Sequence, residues 1–354
     1  MIRFNELKTI YLEITNRCQA SCPMCSRNYC GGLPNPNLIL NDWSLDDFQK
    51  IITPEVLQQI DVLSFIGNFG DCIINNNFLN MCKELTYTNI QLHIHTNGSA
   101  KTTDWWTELA KVVPKDHNVI FAIDGLADTH TIYRTGTDYN KIIQNATAFI
   151  NAGGTAEWAM IRFQHNEHQV ETAKELSKKL GFKNFSLKDS NRFKNGNQKV
   201  VDKSNNLLYT IYPYGSTEIK SLQEKEINNF YNTYKDLEID CDTNKYNQIY
   251  IDCHKDLYPC CFTAAIPYDY FKKEDILYNG YLRAKQEHNA IIKLIGGRAK
   301  INTLNRTIKT IIQDPKWISA WHQSWHNKDM IVCAKFCGKC NTTTSSAMEQ
   351  YINV

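Results

Sequence analysis

No apolar run in this chain approaches the roughly 18 residues that a membrane-spanning helix requires. The N-terminus, Met1-Ile-Arg-Phe-Asn-Glu6, lacks the apolar stretch of a secretory signal. An excess of one charge is missing too: 39 Lys and Arg stand against 37 Asp and Glu, a net charge of +2 at pH 7. No basic surface follows from that balance, so nucleic-acid binding gets no support. Internal repeats and low-complexity tracts are absent. What is left is an ordinary globular composition, 42% hydrophobic and 21% charged over 354 residues. That length suits one large domain with a smaller one, and a cytoplasmic location is expected.

Cysteine, by contrast, is plentiful: there are 13, an odd number, and they cluster. With no sign of secretion, clustered thiols read as metal ligands and not as disulfides. Cys18, Cys22 and Cys25 stand at C-x3-C-x2-C directly after the apolar run Ile10-Tyr-Leu-Glu-Ile14. A loop leaving a strand can wrap three thiolates around one face of a cubane. A [4Fe–4S] cluster normally takes four thiolates. Three leave one iron open to a small chelating ligand, much as a catalytic metal keeps a free position. A zinc knuckle would need a fourth nearby ligand, for which Cys30 is awkwardly placed. Cys30, Cys72 and Cys82 sit among apolar or loop residues, where buried structural thiols are the default.

Strand-like runs occur at Thr9–Thr15, Val62–Gly67, Gln91–Thr96, Val119–Asp124, Glu157–Phe163 and Phe185–Asp189. Between them the pattern predicts helices: one opened by Ser44-Leu-Asp-Asp47 and running to Ile60, then Asn77–Tyr87, Asp104–Val112, Asn140–Ala152 and Glu167–Leu180, the last ended by Gly181. Six strand–helix units in order imply an α/β fold, a parallel sheet forming a partial (β/α)6 TIM-like barrel. We expect residues 1–190 to form this core. Residues 191–240 read as a linker or bridging segment, starting from the polar Asn191–Lys199 stretch. Residues 241–354 form a smaller module, with a hairpin of Gln248–Asp252 and Leu257-Tyr258 turning at His254-Lys-Asp256, and helices over roughly 280–326.

The triplet spacing is the hallmark of radical S-adenosylmethionine (SAM) enzymes, and from about residue 9 to 341 the chain resembles that superfamily. The resemblance implies that SAM chelates the open iron through its amino and carboxylate groups. It also implies that the reduced cluster cleaves SAM to a 5′-deoxyadenosyl radical. Gly70-Asp71, in Phe65-Ile-Gly-Asn-Phe-Gly-Asp71, resembles the family's Gly-Gly-Glu motif, which meets the methionyl part of SAM. His95-Thr-Asn-Gly98 matches a Thr-Asn-Gly of many relatives, making Asn97 a candidate SAM contact. Ala122-Ile-Asp-Gly125 resembles Ser-x-Asp-Gly, with Ala122 in place of the serine whose hydroxyl relatives often direct at SAM. Arg134 matches an arginine that pairs with the SAM carboxylate. Met24 holds the position whose backbone contacts adenine, and Gln164 is a candidate for ribose or carboxylate.

Downstream, Cys241 and Cys260 with Cys337-Gly-Lys-Cys340 resemble the twitch domain, the short form of the SPASM domain. The resemblance implies that these four ligate an auxiliary [4Fe–4S] cluster. Cys333, Cys253 and Cys261 are possible substitutes, and a zinc ribbon is the alternative for this half. A low-potential electron donor of flavodoxin or ferredoxin type is the implied partner. The substrate is expected to be a peptide or a small metabolite. The first strand begins within ten residues of Met1, so any leader-binding domain is expected to be separate. The reading from a different class is a non-catalytic Fe–S or zinc scaffold.

Overall fold

The alternating apolar runs fold as parallel strands and the amphipathic stretches between them as helices. A computed structural model describes residues 1–113, 117–190, 192–193, 196–215, 237–275, 277–327 and 329–339. The main sheet comprises β1 (Thr9–Leu12), β2 (Val62–Phe65), β3 (Gln91–Thr96), β4 (Asn118–Ala122), β5 (Thr155–Arg162), β6 (Asn184–Asp189), β7 (Gln248–Ile251) and β8 (Leu257–Tyr258). Its strand order is β8-β7-β1-β2-β3-β4-β5-β6. The pairs β1/β7, β3/β4, β4/β5 and β5/β6 are parallel; β7/β8 is antiparallel. This is the α/β, parallel-sheet class implied by the sequence pattern.

By its internal contacts the chain divides into two units. The first comprises Met1–Glu13, Trp43–Leu63 and Leu222–Val354; the second comprises Ile14–Asp42 and Ser64–Ser221. In the second unit, β3 to β6 alternate with helices α3 (Phe78–Leu85), α4 (Thr103–Val112), α5 (His130–Tyr133), α6 (Tyr139–Asn151) and α7 (Val170–Leu180). One sheet face is apolar: Ile94, Val119, Phe121, Trp158 and Met160 are buried. Phe121 lies 5.0 Å from the Trp106 ring of α4 and 6.3 Å from the Phe149 ring of α6. Large aromatic rings closing on one another in this way supply much of the burial that holds helices to a sheet. Helix α7 ends at Gly181 in the left-handed region, φ 87°, as its sequence predicts.

The first unit packs β1 against β7 in register from Thr9↔Gln248 to Leu12↔Ile251. Helices Tyr278–Ile295 and Pro315–His326 accompany it, the latter burying Trp317 and Trp321. Trp43 Nε1 donates to the Asp252 carbonyl at 3.1 Å, tying the segment before the Ser44 cap to the β7–β8 turn.

The structure corrects two expectations and extends a third. The helix expected to run to Ile60 is two, α1 (Leu45–Ile51) and α2 (Pro54–Gln59). Pro54 has no N–H and sits at the first turn of α2, while Thr53 Oγ1 caps it by accepting from Val56 N. The six expected strands are β1 to β6 of the main sheet, and the expected hairpin extends it to eight, because β7 pairs with β1 and brings β8 along its edge. Polar residues 198–211 form an antiparallel hairpin, Gln198–Val201 with Leu207–Ile211, where the composition alone suggested linker.

Candidate functional site

The triplet loop leaves β1 through Ile14 and belongs to the second unit. Its start is anchored twice. Thr15 Oγ1 donates to Asp42 at 2.5 Å, and Asn16 Nδ2 donates to the Ile39 carbonyl at 2.7 Å. Cys25 N donates to the Cys22 carbonyl at 2.9 Å, closing a turn between the last two cysteines. Ser21 N donates to Thr135 O at 2.8 Å, and Arg27 donates to the Ala20 carbonyl. Cys22 is buried, while Cys18 and Cys25 are half-buried.

Asp71 is the organiser beside this loop. It is buried, and its Oδ2 accepts from Thr96 Oγ1 at 3.1 Å, Asn97 N at 2.7 Å and Asn97 Nδ2 at 2.5 Å. Its Oδ1 accepts from Ile73 N at 3.3 Å. Asn97 in turn donates to Cys18 Sγ at 3.5 Å and accepts from Gln19 Nε2 at 2.6 Å. The carboxylate thus spends its lone pairs on the loop after β3, and that loop holds the first cysteine. Burial raises the Asp71 carboxyl above its ordinary pKa, against the lowering effect of these hydrogen bonds. Gly70 has a packing reason to be glycine: a Cβ there would collide with the Thr15 carbonyl.

Asp124, in Ala122-Ile-Asp-Gly125, is fully buried. It accepts from Ile161 N and from Arg134 Nε, each at 2.5 Å. Arg134 lies beside Cys22 and lowers that thiol's pKa, but burial wins and pushes Cys22 up to about 11. Burial first, then the Asp71 charge, raises Cys18 further. Buried thiols of this kind are poor thiolates unless a cation compensates them. A positively charged iron centre would supply that compensation and displace the protons. The Asn97 amide donating to Cys18 sulfur is the kind of second contact that steadies a thiolate ligand. The donor set therefore fits an iron–sulfur cluster. Among the described residues no group of three His, Cys, Asp or Glu is placed to hold a single metal ion.

Met24 is buried in a small cluster with Ala20, Cys22, Tyr133 and Phe163, and Ser190 Oγ lies 4.0 Å from its sulfur. Gln164 lines a cleft of about 390 Å³ with Ile132, His165, Tyr209 and Tyr212.

In the first unit, Cys241, Cys260, Cys333 and Cys337 line one small pocket together with the stacked rings of Phe262 and Phe336, 3.8 Å apart. Their thiols sense one another. Cys260 is pushed up to about 11 by burial and then by Cys337. Cys337 is raised first by its hydrogen bond with Cys241, and Cys333 by burial and then by Cys260 and Cys337. This donor set also fits a cluster. Cys340 lies outside the described residues. Sequence reasoning ranked Cys333 only as a substitute, and it gave no role to Gln19 or Asp124. Gln19 stands between the first two cysteines, and Asp124 is the acid of a motif already singled out, so both carried a signal.

No known protein-family profile matches this chain. It is 30% identical over 107 residues to the tungsten-containing aldehyde ferredoxin oxidoreductase cofactor-modifying protein of Pyrococcus furiosus, a match covering 30% of this chain and 28% of that protein. The chain thus matches little more than a quarter of that relative's length. Among solved structures it resembles SuiB of Streptococcus suis bound to S-adenosylmethionine, at 15% identity and TM-score 0.46, covering 72% of this chain and 60% of that one. It also resembles native anSMEcpe with bound AdoMet, at 14% identity and TM-score 0.46, over 92% of this chain and 99% of that one. BtrN in complex with AdoMet and 2-DOIA is similar at 12% identity and TM-score 0.46, over 98% and 97%. Each of these three structures holds SAM.

Proposed function

We propose that this chain is a radical SAM enzyme carrying two iron–sulfur clusters. One observation carries the reading: a C-x3-C-x2-C loop directly after β1, hydrogen-bonded through Asn97 to Asp71 at the ends of neighbouring parallel strands. Strand C-terminal ends are where ligand sites of parallel α/β folds lie. Cys18, Cys22 and Cys25 would hold the first cluster. When bound and reduced, that cluster supplies reductive cleavage of SAM, and with it a radical that removes a hydrogen atom from substrate.

The protein's own residues position and shield. Asn97 keeps Cys18 in place and is itself fixed by Asp71. Gly70 lets the loop after β2 lie against Thr15. Arg134, held by Asp124, is the candidate partner of the SAM carboxylate, with Met24 and Gln164 candidates for the adenosyl part. In the other unit Cys241, Cys260 and Cys337 would hold an auxiliary cluster, with the fourth ligand from Cys333 or Cys340. A cluster held there would supply an electron acceptor, and the net reaction would then be an oxidation. A low-potential flavodoxin- or ferredoxin-type donor would feed the first cluster, and the substrate is a peptide or a small metabolite.

Anaerobically reconstituted protein with dithionite and SAM is expected to form 5′-deoxyadenosine, and a Cys18/Cys22/Cys25→Ala protein to form none. Iron-loaded wild-type protein that forms none would make this a non-catalytic scaffold.

A further inference from the structure

Trp317, Trp321 and Trp325 recur every four residues along helix Pro315–His326 and so share one of its faces. All three are buried. A buried indole usually has its N–H satisfied. Here none of the three Nε1 atoms meets a hydrogen-bond partner at ordinary geometry among the described residues. Trp317 and Trp321 are core residues, set edge to face with ring centroids 6.5 Å apart. Trp325, in the last turn, is placed differently: it lines the pocket that Cys241, Cys260, Cys333 and Cys337 share.

Within that pocket the indole N–H acts on one sulfur. Burial, then Cys260 and Cys337, raise the Cys333 thiol, and the Trp325 N–H pulls it back down. The contact is loose because a protonated thiol is a weak acceptor. A thiolate is a strong one, since hydrogen bonds to a charged acceptor are shorter and stronger. The backbone keeps the pair together. Asp329 N donates to the Ser324 carbonyl at 2.8 Å, closing the turn that leaves the helix. Ile331 N, at the start of helix Ile331–Cys337, donates to Glu287 Oε2 at 2.8 Å, and Arg283 Nε donates to Glu287 Oε1 at 2.9 Å. Pro259, Val332 and the stacked rings of Phe262 and Phe336 wall the pocket with apolar surface, which strengthens a hydrogen bond made inside it.

We propose that Trp325 tunes the auxiliary cluster: Cys333 is one of its ligands, the Trp325 indole N–H donates to the Cys333 sulfur, and this hydrogen bond raises the cluster's reduction potential. Donation to a ligand sulfur draws negative charge off the cluster and favours the reduced state, which carries one more negative charge. A cluster so held is the better electron acceptor. This rests on the auxiliary-cluster reading, to which it adds a residue that the cysteine pattern does not name.

The test is an EPR-monitored redox titration of the anaerobic Cys18/Cys22/Cys25→Ala chain, in which only the auxiliary cluster remains. Trp325→Phe keeps an aromatic ring without the N–H, and should move the midpoint potential to a more negative value at unchanged iron content. Trp321→Phe removes a buried N–H outside the pocket and should leave the potential in place. If Trp325→Phe does not hold the cluster, the chain with Trp325 intact and its indole nitrogens isotopically labelled decides. Pulsed EPR of the reduced cluster should then show coupling to an indole nitrogen. An unchanged potential in Trp325→Phe, an equal shift in Trp321→Phe, no indole coupling, or a Cys333→Ala chain that keeps its about four irons would each overturn the proposal. A triplet variant without iron would overturn the auxiliary cluster itself, and this inference with it. A loaded cluster indifferent to Trp325 would overturn this inference alone.

Discussion

Asp71 accepts four hydrogen bonds, three of them from Thr96 and Asn97. Hydrogen bonds to a charged group are worth about 1.5–3 kcal/mol each, so this carboxylate fixes the Asn97 loop firmly. Asp71→Ala is expected to lower 5′-deoxyadenosine formation at least about tenfold, with iron lost from the first cluster during gel filtration. Unchanged iron retention would show that the loop holds itself. Gly70→Ala forces a Cβ against the Thr15 backbone, which cannot give way as a side chain can. A loss of about 1–3 kcal/mol is expected, measured by urea unfolding. His130 offers a pH test. Its Nδ1 accepts from Asp124 N at 3.1 Å and its Nε2 lies 3.0 Å from Thr137 Oγ1, so the neutral ring is the one that fits. Burial, then the Arg134 charge, pushes it down to about 3 from 6.5. Between those values the unfolded chain binds the extra proton, so stability falls as pH drops from about 6.5 toward about 3. His130→Asn keeps an acceptor and cannot titrate. It should reduce the slope of stability against pH by about one proton in that window, and an unaltered slope would assign the titration elsewhere.

At the level of elements, the strands of the second unit were legible because most are short runs rich in apolar, β-branched or aromatic residues, and β3 alternates apolar with polar ones. Gln91–Thr96 matches the expected bounds throughout, and β4, β5 and β6 differ by one or two residues at their ends. The helix before β2 was legible only in part. Ser44 and Asp47 form the reciprocal capping box that the sequence suggested, Asp47 N to Ser44 Oγ and Ser44 N to Asp47 Oδ2, both at 3.0 Å. The helix breaks at Thr53-Pro54, where a residue without an N–H suits the first turn of a new helix and not the interior of a continuing one. Because Thr53 caps a separate helix, Thr53→Ala should cost about 1 kcal/mol in thermal or chemical unfolding. A cost near zero would mean that α2 is held by its packing alone.

For the whole molecule, wild-type anaerobic protein is expected to carry about eight irons with matching sulfide, and the triplet variant about four. Cys333→Ala against Cys340→Ala then assigns the fourth auxiliary ligand. Whichever variant falls to about four irons identifies it, and a protein whose iron withstands both would not use either thiol. By itself the sequence determined what is local. The triplet spacing, the strand–helix alternation and the caps depend on neighbours a few residues apart, and their chemistry survives without knowledge of the fold. Tertiary structure decided what depends on distant residues meeting. It joined Asp71, Asn97 and Cys18 into one network and gathered Cys333 with Cys241, Cys260 and Cys337. It also brought Trp325 into the pocket of those cysteines. The four-residue spacing of the tryptophans was written in the chain, but only the packing of separate helices shows which indole meets a thiol, because that contact is made between elements and not within them.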